Sequence, residues 1–479
     1  MLPALARQGV TLGAGAGFAL LTCADVGGRV SEPRLMTDGL RWSRRAVLLA
    51  GGLLIAGCGT PARPTIESED YESTGSNGKH LREILDRRAT ALTERDEKGY
   101  LADLDPSNAK LIQREKALFS NLRQFELQEV RFIDDRAFEQ KESDGDLRFA
   151  PLIRITKLTA DAGPGDIAPA ETFSYRLRKK GDAFVITATR SNREKLGLDG
   201  PLADAPWNTD ALRVQKVGSK VWLVGDKSVN DLDRYAAVTE RELAEVERLW
   251  GDRLSYPGHV LFFTRDPANF RQWFGLGAGG NFNPDNLGYQ IRTLGVKKDG
   301  QTFTGEFAAS RIVVNLRGHQ SHNAPPNLTI RHELTHAVSA RLTMTMSFND
   351  FGPPLWAVEG FARWTETIGN PAQAAVIRNV VANGVRAGKF RGTVPDSKTF
   401  YGRDIDFNYC LGSTVFSLAE RLKGRDAAVE LYASIIQHPD SLDMPFVELP
   451  VFEGISKRVL GMSAGSFRAR WVSHVRNGG

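Results

Sequence analysis

The chain is expected to be an α+β protein built in two folded parts, and three observations lead there. Residues 79–103 carry apolar residues at helical intervals, and a second helical stretch covers about 107–121. Four strand-like runs follow at 125–134, 147–158, 171–179 and 183–190. Beyond about Pro206 strands and helices mix before a long, mostly helical C-terminal half. Helices first and an antiparallel sheet after them describe the first part, and a mixed sheet with a helical half describes the second. A chain of 479 residues is too long for one typical domain, and 41% hydrophobic with 25% charged residues is ordinary globular composition.

The first part is justified in order. Leu81, Ile84, Leu85, Ala89, Leu92 and Leu101 set the period of the first helix, and Asp105-Pro106 breaks it. In the third strand Phe173, Tyr175 and Leu177 alternate with polar neighbours, and Lys180-Gly181-Asp182 makes a hairpin turn into the fourth. No catalytic constellation stands out here, so a spacer or docking role is expected. The element order resembles the cone-shaped nuclear-transport-factor-two-like fold.

The second part opens with a strand at Val221-Trp222-Leu223-Val224 and a helix at about 231–250 closed by Gly251. A strand from His259 to Thr264 and a short helix after Asp266-Pro267 come next. The run Arg311-Ile312-Val313-Val314-Asn315 reads as a strand. Pro325-Pro326-Asn327 then introduces a helix from about Leu328 to Leu342, with Asn327 as its expected N-cap. Thr335 and Arg331 are expected away from its metal-bearing side. Gly352-Pro353-Pro354 leads into a further helix that begins Leu355-Trp356-Ala357-Val358-Glu359-Gly360-Phe361-Ala362.

On the first of these two helices stands His332-Glu333-Leu334-Thr335-His336. Histidines four apart on a helix project one turn apart on one face. Both imidazoles then reach one zinc ion at roughly 2.0–2.1 Å. Glu333 sits beside the metal, where it takes a proton from the attacking water. Zinc needs a third protein ligand and an open fourth position, and a carboxylate from the neighbouring helix supplies it. Cys23, Cys58 and Cys410 form no disulfide framework or paired-cysteine metal site, so the donors are nitrogen and oxygen.

His-Glu-Leu-Thr-His followed by Pro-Leu-Trp-Ala-Val-Glu-Gly-Phe-Ala-Arg-Trp resembles the gluzincin peptidases, the thermolysin-like group, and is similar to their small bacterial peptidase MA-like members. The likeness spans about 210–475 and is sharp over 311–367. It implies a thermolysin-like zincin fold, one zinc per chain, His332, His336 and Glu359 as ligands and Glu333 as general base. It also implies an oxyanion-stabilising side chain from a later helix, for which Tyr409 is the candidate and Tyr401 the alternative. The strand 311–316 would be the substrate-binding edge, with Asn315 helping to hold the peptide backbone. Where thermolysin has an aspartate to orient a ligand histidine, this chain has Arg363, and Glu366 is the substitute. No third histidine follows at metzincin spacing.

Residues 41–60 read as an export signal. Arg41, Arg44 and Arg45 precede an apolar run from Ala46 to Gly57 that is too short to span a bilayer. The ending Leu54-Ile55-Ala56-Gly57-Cys58 resembles the bacterial lipobox, and Ser43-Arg44-Arg45 a twin-arginine signal. The first implies cleavage before Cys58, lipidation of Cys58 and anchoring on the outer face of the bacterial cytoplasmic membrane. The expected division is a leader over 1–57, with Met36 as its expected start, a flexible tether over 58–78, an accessory domain over 79–195 and a metallopeptidase domain over 206–479.

The remaining signals carry less chemistry. A net charge of +5, from 62 basic and 57 acidic residues, with no aromatic-interleaved basic stripe, argues against nucleic acid. Gly275-Leu276-Gly277-Ala278-Gly279-Gly280 lacks the Lys-Ser/Thr of a phosphate loop. His319 and His322 are expected in a solvated loop, and Cys410 in the core. The expected function is hydrolysis of peptide or protein substrates at the membrane surface. The competing expectations are a catalytically silent zincin-fold lipoprotein acting as a binding or envelope scaffold, and a zinc hydrolase of cell-wall amides. The intact Glu333 favours an enzyme, since a scaffold needs no general base. Oligomeric state is open.

Overall fold

A computed structural model describes residues 77–479, apart from 135–136, 162–166, 192–204, 275–285, 298–302, 344–351 and 442–443. The leader, Cys58 and the Gly275–Gly280 stretch lie outside the described residues. No described helix is long and apolar enough to cross a membrane.

The architecture is α+β, as expected. Three helices open it: α1 (Gly78–Glu94), α2 (Glu97–Leu101) and α3 (Ala109–Leu122). The single helix anticipated over 79–103 is two, because Arg95 adopts a left-handed conformation (φ 59°) that stops the first. Five antiparallel strands follow: β1 (Leu127–Ile133), β2 (Phe138–Lys141), β3 (Leu147–Leu158), β4 (Ala168–Lys180) and β5 (Ala183–Ser191). β4 and β5 are joined by the expected tight turn, with Gly181 at φ 64°.

The second part adds β6 (Leu212–Val217), β7 (Val221–Asp226), α4 (Ala236–Trp250), β8 (His259–Thr264), α5 (Pro267–Gln272), β9 (Gly288–Val296) and β10 (Phe303–Asn315). Asp266 caps α5 by accepting from the backbone N–H groups of Ala268 and Asn269. β8 pairs in parallel with both β7 and β10, while β6 and β9 pair antiparallel to their neighbours. The C-terminal half is helical: α6 (Leu316–Ser321), α7 (Asn327–Ser339), α8 (Leu355–Thr365), α9 (Pro371–Arg386), α10 (Ile405–Lys423), α11 (Arg425–Ile435), α12 (Pro450–Leu460) and α13 (Ala464–Arg476).

One continuous sheet runs through both parts in the order β1-β3-β4-β9-β10-β8-β7-β6, with β2 on β3 and β5 on β4. Its central strands are buried on both faces, so they read as unbroken apolar runs rather than alternating ones. Leu223, Leu261, Phe263, Ile312 and Val314 point into a core shared with α7 and α8. Trp222, Val224, Val260, Phe262 and Val313 point the other way, into a core built with Leu81, Leu118, Phe119 and Phe125 of the first part. The accessory region therefore covers the back of the sheet that carries the motif helix on its front.

Two expectations about this region are corrected. β10 is not an edge strand, because β8 holds one side and β9 the other. β9 lies between β10 and β4, which pairs with it at Gly295 and Val296. His319 is not in a loop, since it is buried on α6, whereas His322 follows that helix in an exposed turn as expected.

Candidate metal centre

α7 starts one residue earlier than expected, with Pro326 rather than Asn327 at its N-cap position. It is buried on all sides from Thr329 to Ser339, so Arg331 and Thr335 do not face solvent. Arg331 instead donates to Glu242 Oε2 on α4 (2.6 Å) and to the carbonyls of Thr365 (3.3 Å) and Ile368 (2.7 Å), just past the end of α8. Thr335 and Thr365 share a hydrogen bond of 3.0 Å. These contacts lock the two helices in register. A third helix, α10, crosses α8 where two glycines meet: a Cβ on Gly360 would stand 2.4 Å from the Gly412 carbonyl carbon. A Cβ on Gly412 would stand 2.3 Å from the Trp356 carbonyl oxygen. Backbone-to-backbone contact at these glycines lets the helix carrying Glu359 and the helix carrying Tyr409 pack closely.

His332, His336 and Glu359 converge there, all three buried. His332 Nε2 lies 3.2 Å and His336 Nε2 3.4 Å from Glu359 Oε2. Ligands of a tetrahedral zinc at about 2.0–2.1 Å stand roughly 3.4 Å from one another. The donor set, two imidazoles and a carboxylate, and its spacing both fit such an ion.

The buried groups of the cluster shift one another's proton affinities. Burial opposes the charge on Glu359, but His336 and the hydrogen bonds from both histidines outweigh it and hold the carboxyl at about 2. Burial also works against protonation of His332, yet its contacts with Glu359 and Glu366 raise it to about 10. Two neutral imidazoles and a carboxylate are the donor set that a divalent ion takes. Glu333 accepts a hydrogen bond from the backbone N–H of Gln290 on β9. Its Oε2 has no hydrogen-bond partner among the described residues, and burial raises its carboxyl to about 8, opposed by His332 and reinforced by Glu359 and Glu366.

Glu366 takes the orienting position. His332 Nδ1 donates to Glu366 Oε1 at 2.9 Å, leaving Nε2 directed at Glu359. Arg363 Nη1 (2.8 Å) and Gln373 Nε2 (2.7 Å) donate to Glu366 Oε2 and fix the carboxylate. Arg363 thus supports the orienting group instead of providing it. Glu359, Arg363 and Glu366 stand at helical spacing on one face, which is the signal in the sequence that marks Glu366.

Both candidate tyrosines reach the cluster. Tyr409 is 2% exposed, with its ring 6.0 Å from that of His332. Tyr401 is 40% exposed as a residue, but its hydroxyl points inward and donates to Glu359 Oε1 at 2.8 Å. The two hydroxyls are hydrogen-bonded to each other. Asn315 is not available to a peptide: its side chain accepts from the Gly318 N–H and donates to the Asn286 carbonyl (3.0 Å), capping α6. Cys410 is a buried thiol beside Arg363, as a core residue should be. Sequence reasoning missed β9, although Tyr289 and Ile291 already alternate with polar residues there.

No family model and no curated protein matches the chain. Among solved structures it is similar to an M1 zinc metallopeptidase from Deinococcus radiodurans at 13% identity and a TM-score of 0.31, covering 65% of this chain and 60% of that one. A point mutant of that enzyme matches at 12% identity and TM-score 0.33, covering 66% of this chain and 62% of the other. The same mutant bound to a Tyr-Ser-Ala substrate matches at 12% and 0.32, covering 66% and 61%. The chain spans less than two thirds of the length of these proteins. A likeness at this level assigns no activity.

Proposed function

We propose that the protein is a zinc-dependent peptidase. One observation carries this: His332 Nε2 and His336 Nε2 stand 3.2 and 3.4 Å from one carboxylate oxygen of Glu359, as ligands of a tetrahedral ion would, with a carboxylate oxygen of Glu333 on the same helix that has no partner among the described residues. His332, His336 and Glu359 would hold one zinc per chain. When bound, zinc supplies Lewis acidity toward a carbonyl oxygen and toward water. Glu333 accepts the proton of the attacking water and delivers it to the leaving amine. The hydroxyl of Tyr409, with Tyr401 as the alternative, would turn from its present partner to donate to the oxyanion that develops on the scissile carbonyl. Glu366 holds the His332 ring so that Nε2 faces the metal.

We further propose that the chain is exported and anchored through a lipid on Cys58, placing the hydrolase on the outer face of the cytoplasmic membrane. Metabolic labelling with a radioactive or clickable fatty acid, compared with Cys58→Ser, tests that part. Label that persists in the variant contradicts it.

Glu333→Gln tests the chemistry. The variant is expected to bind zinc stoichiometrically and to lose hydrolysis of a peptide library by at least about 10³-fold. Full activity in that variant removes Glu333 from its role. Stoichiometric zinc with no cleavage by the unaltered protein favours the scaffold alternative instead.

A further inference from the structure

The first part of the chain encloses charge that a core does not need. Arg154 on β3 stands directly opposite Glu171 on β4, and the two form a buried ion pair. Glu115 of α3, also buried, accepts from Arg88 Nη2, from the Tyr100 hydroxyl (2.9 Å) and from Thr189 Oγ1 (2.8 Å). A well-packed apolar interior is often as stable as buried ion pairs or more so, so stability alone gives no reason to keep them. They border a cavity between α3, β3, β4 and β5. Its space for water-sized atoms is about 30 Å³, roughly two to three times what one water needs.

The lining favours an anion. Arg114, Arg154 and Arg190 line the cavity with Glu115 and Glu171. Both carboxylates are already satisfied. Glu171 accepts from the Ala205 N–H (2.7 Å) and Asn208 Nδ2 (2.9 Å) at Oε1, and from Arg154 Nη2 and Trp207 Nε1 (3.2 Å) at Oε2. The arginines are not. Arg154 Nε is buried with no hydrogen-bond partner among the described residues. Arg114, half-buried, donates Nη1 to the Thr189 carbonyl (3.0 Å), and Arg190 is exposed at the mouth. A buried donor left unpaired costs free energy that an incoming acceptor restores. Guanidinium groups match a planar anion with two oxygens. A carboxylate group, three heavy atoms in a plane, suits the room better than a tetrahedral phosphate. Leu118 and Phe173, also in the wall, meet the carbon atoms behind it.

We propose that this cavity binds the carboxylate group of a small organic acid. Arg154 donates through Nε at the floor, and Arg114 and Arg190 supply donors and charge at the mouth. The site lies in the accessory region and does not rest on the peptidase function proposed above. Arg154 and Glu171 also hold Ala205 and Asn208, in the turn that leads into β6. An acid bound there therefore stabilises the folded chain against unfolding.

The test titrates the zinc-loaded full chain by calorimetry with acetate and benzoate at constant ionic strength, and with acetamide and inorganic phosphate for comparison. The double variant Arg114→Gln, Arg190→Gln, which changes only half-buried and exposed side chains, is titrated alongside. Crystals soaked in 4-bromobenzoate locate the bromine by anomalous scattering. Acetate or benzoate is expected to bind, acetamide not to, and the double variant to bind at least about tenfold more weakly. The bromine is expected beside the cavity, with the carboxylate within hydrogen-bond reach of Arg154 Nε. A carboxylate can also ligate zinc, so unaltered affinity in the double variant, or bromine only at the metal cluster, overturns the site. Phosphate or acetamide binding as tightly as the acids overturns the carboxylate assignment. No binding by any probe in solution, even with bromine in the crystal, means that the cavity holds only water and overturns the proposal.

Discussion

Glu366 touches no reacting atom, yet it decides how His332 presents Nε2. Removing an orienting partner of this kind costs about 10–100-fold in metal affinity or activity. Glu366→Ala is therefore expected to weaken zinc binding by that factor in a competition titration, while Gln, which keeps an acceptor for Nδ1–H, recovers part of it. Unchanged affinity in the alanine variant shows that the contact is incidental. At this scale the sequence was largely legible. The histidine spacing marks two donors without any structure, because four residues on a helix is a fixed geometry. Asn315 shows the opposite case. Its capping of α6 depends on a helix that its neighbours do not announce, so a side chain that looked available is already engaged.

Helix crossing positions what single residues cannot. α8, which carries Glu359, and α10, which carries Tyr409, approach through Gly360 and Gly412. An added methyl at either glycine meets backbone, which cannot give way as a flexible side chain would. Gly412→Ala is expected to cost about 1–3 kcal/mol of stability. It should also weaken zinc binding, because separating the helices moves the tyrosine pair and the carboxylate. The denaturant midpoint and the zinc dissociation constant measure the two effects, and loss of stability with unaltered zinc binding separates the crossing from the site. The existence of most elements was readable from periodicity. Strand order was not: β10 looks like an edge strand because it comes just before the motif helix, whereas it lies between β8 and β9 inside the sheet. Pairing between distant segments leaves no local pattern, so it had to be seen.

Across the whole molecule the two parts share a sheet and a core, and buried polar groups mark how tightly they are joined. Arg311→Met leaves Asp161 buried without its cation, which is expected to cost about 3–5 kcal/mol; a fully retained unfolding midpoint contradicts this. Burial also keeps His259 neutral, with its proton affinity lowered to about 4 and Lys220 acting in the same direction. The unfolded chain takes up that proton near the ordinary value of 6.5. Stability is thus unaffected by this group above pH 6.5 and falls as pH drops toward 4, by about 3 kcal/mol at most. Urea midpoints at pH 7 and pH 5 should fall more in the unaltered protein than in His259→Phe, and an equal fall in both excludes this cause. All of this scaffolding holds one feature in place, the meeting of His332, His336 and Glu359. Anomalous diffraction from crystals grown with zinc, recorded on both sides of the zinc absorption edge, locates the ion directly. One peak within bonding distance of His332 Nε2, His336 Nε2 and a Glu359 oxygen is the expected result. Zinc bound elsewhere, or no zinc at these three atoms, contradicts the account.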